Sequence, residues 1–199
     1  MSQIVTTAIL AVLGATAISA KIYVQNINIF VFIAGQSLGQ AASILVGRYI
    51  GSESWEEARK LNKKVFIINL ILNTFLGMIM VLFRYPLVGL FTENYEILEL
   101  AASVICIDFF VEIFRGINHT EQFSLQATGD VKFSMLVGII SCWLNSILFS
   151  YILGIKLELG LHGCWIAFAM DEIFRGFILV RRWNSGKWMT KSIVLKRSN

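Results

Sequence analysis

Between residues 4 and 47 the chain carries a single charge, Lys21; residues 65–83 and 133–155 carry none, and 97–114 and 159–180 are apolar apart from a few embedded ionisable groups. A helix needs about 20 apolar residues to cross the hydrocarbon core of a bilayer. The pattern therefore predicts full spans over about 62–83, 97–117, 133–155 and 162–182. The first stretch holds two more segments. A turn at Gly14-Ala15-Thr16, with the Thr16 hydroxyl placed to cap the following helix, divides it into a span over about 1–14 and a longer one over 17–48. The first of these is short for a crossing. The predicted fold class is an all-α membrane protein of about six transmembrane helices, the first curtailed, in one bundle covering residues 1–199 and ending in a basic tail over 183–199.

Basic residues then orient the bundle, because Lys and Arg stay in the cytoplasmic loops. The connection 48–64 holds Arg48, Arg59, Lys60, Lys63 and Lys64; 115–132 holds Arg115 and Lys132; the tail from 181 holds six basic residues. The other turns hold one each, Lys21, Arg84 and Lys156. Basic-rich and basic-poor connections alternate, which predicts a multi-pass protein of the cell membrane with a cytoplasmic C-terminus. Within 48–64, SESWEEARKLNKK reads as a short interfacial helix, with Ser54 as cap and Glu57 completing a capping box.

Composition agrees with lipid as the solvent. Hydrophobic residues make up 56% of the 199 and charged residues 15%, and the mean hydropathy is +0.70, too apolar for a domain with a wet surface. The net charge of +4 is broken up by long neutral stretches and lines no single face, so no nucleic-acid partner is expected. The run ending in TAISAK has a cleavage-like set of small residues but no basic region before it, against a secretory signal. Cys106, Cys142 and Cys164 lie inside apolar segments without C-x-x-C spacing and read as small core residues, not a disulfide framework or metal site. His119 and His162 fall near membrane boundaries with no ligand partner at helical spacing, and read as interfacial.

Polar positions inside the spans carry the functional signal. Gly35, Gly39, Ser43, Gly47 and Gly51 recur every four residues and predict a helix-packing stripe on which a neighbouring backbone can approach closely, with the border of an open cavity, beside Ala41 and Ala42, as the alternative. Upstream, Gln25, Asn26, Asn28 and Gln36 are amides that are costly in hydrocarbon unless paired or facing water. They predict a polar lumen along this helix. DFFVEIFRG places Asp108, Glu112 and Arg115 four and then three residues apart on one face, and DEIFRG repeats the arrangement with Asp171, Glu172 and Arg175. Glu112–Arg115 and Glu172–Arg175 read most simply as intrahelical ion pairs with the arginine reaching toward the interface. Asp108 lies one turn deeper with no basic residue four positions before it, and is the best candidate for a protonatable or cation-binding group.

AVLGATAISAK, GQAASILVGRYIG with its basic amphipathic connection, LFTENYEILELA, SLQATGDVKFSM, and the closing GLHGCWIAFAMDE with RRWNSGKW together resemble the multidrug and toxic compound extrusion (MATE) family of efflux transporters, in the order and spacing of its second six-helix repeat. The resemblance covers essentially the whole chain. It implies half of a two-bundle antiporter in which organic cations leave through a central cleft as sodium ions or protons enter, with no other cofactor. It implies a coupling acid in the fourth helix of the repeat, at Asp108 or Glu112, with Gln25, Asn26, Asn28, Gln36 and Arg115 as candidate cleft-lining residues. The second acid that members of this family usually carry in the repeat's first helix has no counterpart in residues 1–20, consistent with a curtailed first span. The first repeat is expected from another chain or from self-association; a fragment or accessory membrane subunit without transport of its own is the alternative.

Two further classes are disfavoured. A flippase of lipid-linked sugars would need mid-membrane arginine and lysine to hold a pyrophosphate. A membrane-embedded enzyme would need clustered His and carboxylates. Neither pattern is present in the sequence.

Overall fold

The computed structural model describes residues 12–189. Of the expected span over 1–14 and the basic tail over 183–199, residues 1–11 and 190–199 lie outside the described residues. What is described is a bundle of long helices: α1 Ala15–Gly51, α2 Trp55–Leu82, the short α3 Arg84–Gly89, α4 Tyr95–Ala127, α5 Val131–Lys156 and α6 Gly160–Asn184. No strand occurs among the described residues. Helices satisfy every internal backbone group without water, which is what a hydrocarbon solvent demands. Three of them, α1, α2 and α5, are both long and apolar enough to cross a membrane; α4 and α6 are as long but carry the ionisable groups.

The helix ends follow local chemistry. Asn94 caps α4, its side-chain oxygen accepting from the backbone N–H groups of Glu96 (3.0 Å) and Ile97 (3.3 Å). Between α4 and α5 the chain reverses in three residues because Gly129 adopts φ 93°, letting the Asp130 N–H reach back to the Leu125 carbonyl at 3.0 Å. Two expected caps do not form. At the start of α1 the cap position is Gly14, with φ 94° and no side-chain cap bond, and Thr16 lies inside the first turn. Ser54 does occupy the cap position of α2, but its hydroxyl bonds to Ser52, and Glu57 is drawn instead to Lys60 at 2.8 Å.

Two connections are shorter than the sequence pattern suggests. The basic segment after Ser54 is no separate interfacial helix; it is the first turns of α2, continuous with the span that follows. Likewise α4 runs on to Ala127, past the expected end of its span at 117. Polarity there had the look of a loop, yet the polar positions are the buried ones. Asn62 of α2 donates to Glu121 at 3.0 Å and accepts from Ser124 at 2.6 Å, and Asn69 donates to Thr120 at 2.9 Å.

α2 shows the organising rule most plainly. Its buried side chains include Asn62, Asn69 and Asn73, whereas Ile67, Ile68, Ile71, Phe75 and Leu82 are exposed. The apolar surface is turned to lipid and the amides hold the bundle together. Asn69 is the junction: its amide also donates to the carbonyls of Gly35 on α1 and Gly116 on α4, both at 3.0 Å. At Gly39 an added Cβ would lie 2.9 Å from the His119 carbonyl oxygen, so the α1 and α4 backbones touch there. The small-residue stripe does not stay on that contact. Gly47 has only the Ala127 methyl within 4.0 Å, Gly51 meets open space, and the Ser43 hydroxyl turns back to its own helix. Four residues advance an α-helix by about 40° more than one turn, so such a stripe winds off any straight neighbour.

Two apolar clusters close the ends. One, at the expected outer end, gathers Val24, Val88, Val104, Leu161 and Trp165. The other, at the inner end, gathers Val46, Ile50, Leu125, Leu179, Trp183 and Trp188. Trp188 is fully buried and stacks on Trp183 with ring centroids 4.5 Å apart, so these two residues of the expected tail pack onto the bundle. The buried polar residues, among them Asn28, Asn69, Asp108, Glu112, Asn118 and Glu172, form a layer that begins within the first cluster and runs toward the second.

Candidate functional site

Four helices converge on a cleft of about 510 Å³ in this polar layer. α1 contributes Gln25, Asn28, Ile29 and Phe32, spaced along one face; α4 contributes Asp108 and Arg115; α5 contributes Cys142 and Ser146; α6 contributes Trp165, Phe168, Asp171 and Glu172. The α5 segment from Cys142 to Lys156 is π-helical, a local widening of the helix often found at functional sites.

Asp108 lies at the cleft wall and is buried. Its carboxylate is held from two neighbouring helices. The Asn28 amide donates to both oxygens, at 3.3 and 3.2 Å, and the Trp165 indole N–H donates to Oδ1 at 2.8 Å. Neither partner is charged. The acid is therefore oriented by neutral dipoles and forms no ion pair among the described residues, an arrangement that suits a small cation or a proton as its partner.

A denser ionic network flanks it. Arg115 pairs with Glu112 on its own helix and reaches across to Glu172 Oε1 at 3.3 Å. Arg175 bonds to the same oxygen at 2.7 Å and to Asp171 at 3.1 Å. The Ser141 hydroxyl donates to Asp171, and the Asn118 amide to Glu172 at 2.6 Å. The intrahelical pairs thus exist, but α4 and α6 share them: the two EIFRG segments are interlocked through Glu172. Four carboxylates, counting Asp108, face two guanidiniums, which leaves the region formally negative.

Of the candidate residues, the cleft brings together Gln25, Asn28, Asp108 and Arg115. Glu112 is buried behind it, one oxygen on Arg115 and Oε2 without a partner among the described residues. Asn26 is exposed and Gln36 half-buried, and neither lines the cleft. Arg115 gives the cleft a cation, but one already occupied by two carboxylates. Cys164 is buried, while Cys106 and Cys142 are half-buried and all three are free thiols; Cys142 lines the cleft. His119 is half-buried inside the bundle, packing edge-on against Phe32 with centroids 5.1 Å apart and Nδ1 buried. His162 meets the Ser103 hydroxyl at 2.7 Å. No cluster of metal ligands occurs among the described residues.

Sequence reasoning paired Glu172 with Arg175 but missed its contact with Arg115, and it missed Trp165, Ser141 and Asn118 as partners and Asp171 on the cleft wall. A signal existed for two of them, since DEIFRG repeats the α4 motif. The Asn62, Asn69 and Asn73 series, at spacings of seven and four, was a further readable stripe in a segment noted only for its lack of charge.

Residues 1–152 match the MatE family. The uncharacterized transporter YisQ of Bacillus subtilis is 35% identical over 193 residues, 97% of this chain and 42% of that protein. A probable multidrug resistance protein NorM of Thermotoga maritima is 28% identical over 188 residues, 94% of this chain and 40% of that protein. The crystal structure of the eukaryotic MATE transporter AtDTX14 superposes with a TM-score of 0.86 at 17% identity, over 94% of this chain and 43% of that one. The chain spans about two-fifths of the length of these proteins.

Proposed function

The chain belongs to the MatE family, and on that premise we propose that its bundle is the second six-helix repeat of a cation-coupled exporter, in which organic cations leave the cell as sodium ions or protons enter. The C-terminus is cytoplasmic in this reading, and a complementary six-helix repeat, from another polypeptide segment or a second copy, supplies the facing wall. Asp108 is the coupling acid. Glu112 serves it indirectly, by fixing Arg115 at the cleft edge.

The observation that carries the proposal is the placement of Asp108: a buried carboxylate on the cleft wall, oriented by Asn28 and Trp165 and contacted by no cation among the described residues. A net negative cleft raises the local concentration of cations. Its apolar and aromatic walls, Phe32, Trp165 and Phe168, suit flat organic cations through cation–π contact. Arg115 and Arg175 are consumed by carboxylates, which weighs against a pyrophosphate-bearing lipid as cargo.

The test is efflux of a fluorescent organic cation from vesicles containing this chain with a complementary repeat, driven separately by a sodium gradient and by a pH gradient. Asp108→Asn is expected to abolish efflux under whichever gradient drives the wild type, and Glu112→Gln to slow it without abolishing it. Normal coupling in Asp108→Asn would overturn the assignment.

A further inference from the structure

A second cavity, of about 410 Å³, opens at the inner end of the bundle between α2, α4 and α6, within the size range of small-ligand pockets. Its polarity is ordered along the helices. Arg59 and Lys63, in the first turns of α2, line the mouth, and neither makes an ion pair among the described residues. Phe66 and Ile67, about 10 Å deeper along α2 than Arg59 and about 5 Å deeper than Lys63, form an apolar wall with Val180 of α6.

The back of the cavity holds an incompletely satisfied acid. Glu121 is 2% exposed; one oxygen accepts from the Asn62 amide at 3.0 Å, and Asn62 is itself fixed by the Ser124 hydroxyl at 2.6 Å. The other oxygen, Oε2, is buried without a partner among the described residues. An orphaned carboxylate oxygen is costly in such a setting. A simple anion would find partners only in Arg59 and Lys63, and a simple cation only in the unpartnered oxygen of Glu121. A zwitterion with an apolar extension satisfies all three parts.

We propose that this cavity is a binding site for an aminophospholipid of the cytoplasmic leaflet. Its phosphate is held by Arg59 and Lys63, its primary ammonium by Glu121 Oε2, and its acyl chains descend along Phe66, Ile67 and Val180. Charge-assisted contacts to phosphate and to ammonium then anchor the inner ends of α2, α4 and α6 to the leaflet, apart from the cleft at Asp108.

The test is native mass spectrometry of the full chain in mild detergent, titrated with phosphatidylethanolamine, with phosphatidylglycerol and with water-soluble phosphoethanolamine. Phosphatidylethanolamine should bind at roughly tenfold lower concentration than phosphatidylglycerol, the effect of one partly buried ion pair, and phosphoethanolamine should not bind in the same range. Glu121→Gln should make the two lipids equal. The surface double variant Arg59→Ala with Lys63→Ala, which leaves the buried polar layer intact, should weaken both. Equal binding of the two lipids by the wild type, a preference that persists in Glu121→Gln, or binding of the soluble headgroup as tight as that of the lipid would each overturn the proposal.

Discussion

Replacing Asn69 by leucine removes the polar junction of three helices while keeping a side chain of four heavy atoms branched at Cγ. The Asn69 amide donates to the carbonyls of Gly35 on α1 and Gly116 on α4 and to the Thr120 hydroxyl on α4, and its own oxygen accepts from Asn73 at 2.5 Å. The two carbonyls belong to helices that already bond them internally, and Thr120 retains its bond to the Gly116 carbonyl at 3.2 Å. Asn73 likewise keeps the Asn69 backbone carbonyl at 2.8 Å. No group is therefore stranded outright, and the loss is that of the interhelical bonds to α1 and α4. Interhelical hydrogen bonds in membrane proteins contribute about 0.6–2 kcal/mol each. The amide has two N–H groups to share among these three acceptors, so the loss amounts to two such bonds, a destabilisation of about 1–4 kcal/mol. Unfolding in mixed micelles of rising dodecyl sulfate fraction, followed by far-UV circular dichroism, measures it. The exposed substitution Ile71→Ala on the same helix, whose side chain faces outward, is the control and should change stability by less. If Asn69→Leu unfolds at the wild-type midpoint, the amide stripe does not hold this bundle.

The remaining predictions test packing, topology and completeness. Gly39→Val should destabilise the bundle by about 1–3 kcal/mol through overpacking against the His119 carbonyl, while Gly51→Ala, which meets open space, should be neutral; equal effects in the same unfolding assay would contradict the drift of the small-residue stripe off the α4 contact. In a background lacking Cys106, Cys142 and Cys164, a membrane-impermeant thiol reagent applied to intact cells should label Thr92→Cys and spare Thr190→Cys, and the reverse would overturn the orientation. Expressed without a complementary repeat, the chain exposes Gln25 and Asn26 at a cost of a few kcal/mol for polar groups in lipid; it is expected to self-associate, aggregate or be degraded and to confer no drug resistance, and a stable monomer that exports a fluorescent cation would refute this.

The helical fold was legible because lipid leaves a chain few options: uncharged runs of span length must be helices. What misled was polarity near the inner ends. The residues from Asn118 to Ser124 read as a loop since their partners, Asn62 and Asn69, lie on another helix. The site divides along the same line. Spacings of four and three place Asp108 and Arg115 on one face by helix geometry alone, so that part could be read from one segment. Pairing between helices depends on how each is rotated against its neighbour, which spacing within a helix does not fix. Hence Trp165 as the donor to Asp108, and Glu172 as the acid shared by both arginines, emerge only from the packed bundle. The same rotation places Gln25 and Asn28 on the cleft wall while Asn26 and Gln36 fall away from it.

The central claim, that the Asp108 cleft is the aqueous path of the exported cation, is tested most directly at Cys142, a free thiol on its wall. The measurement is the rate at which a small hydrophilic thiol reagent modifies Cys142 in transport-competent membranes, with and without a saturating organic cation, against Cys106 in the apolar groove between α4 and α6. The account predicts that Cys142 reacts, that the cation protects it, that Asp108→Asn removes the protection, and that Cys106 is indifferent to the cation. Export that proceeds while Cys142 is unreactive, or reacts equally fast with the cation present, would contradict it.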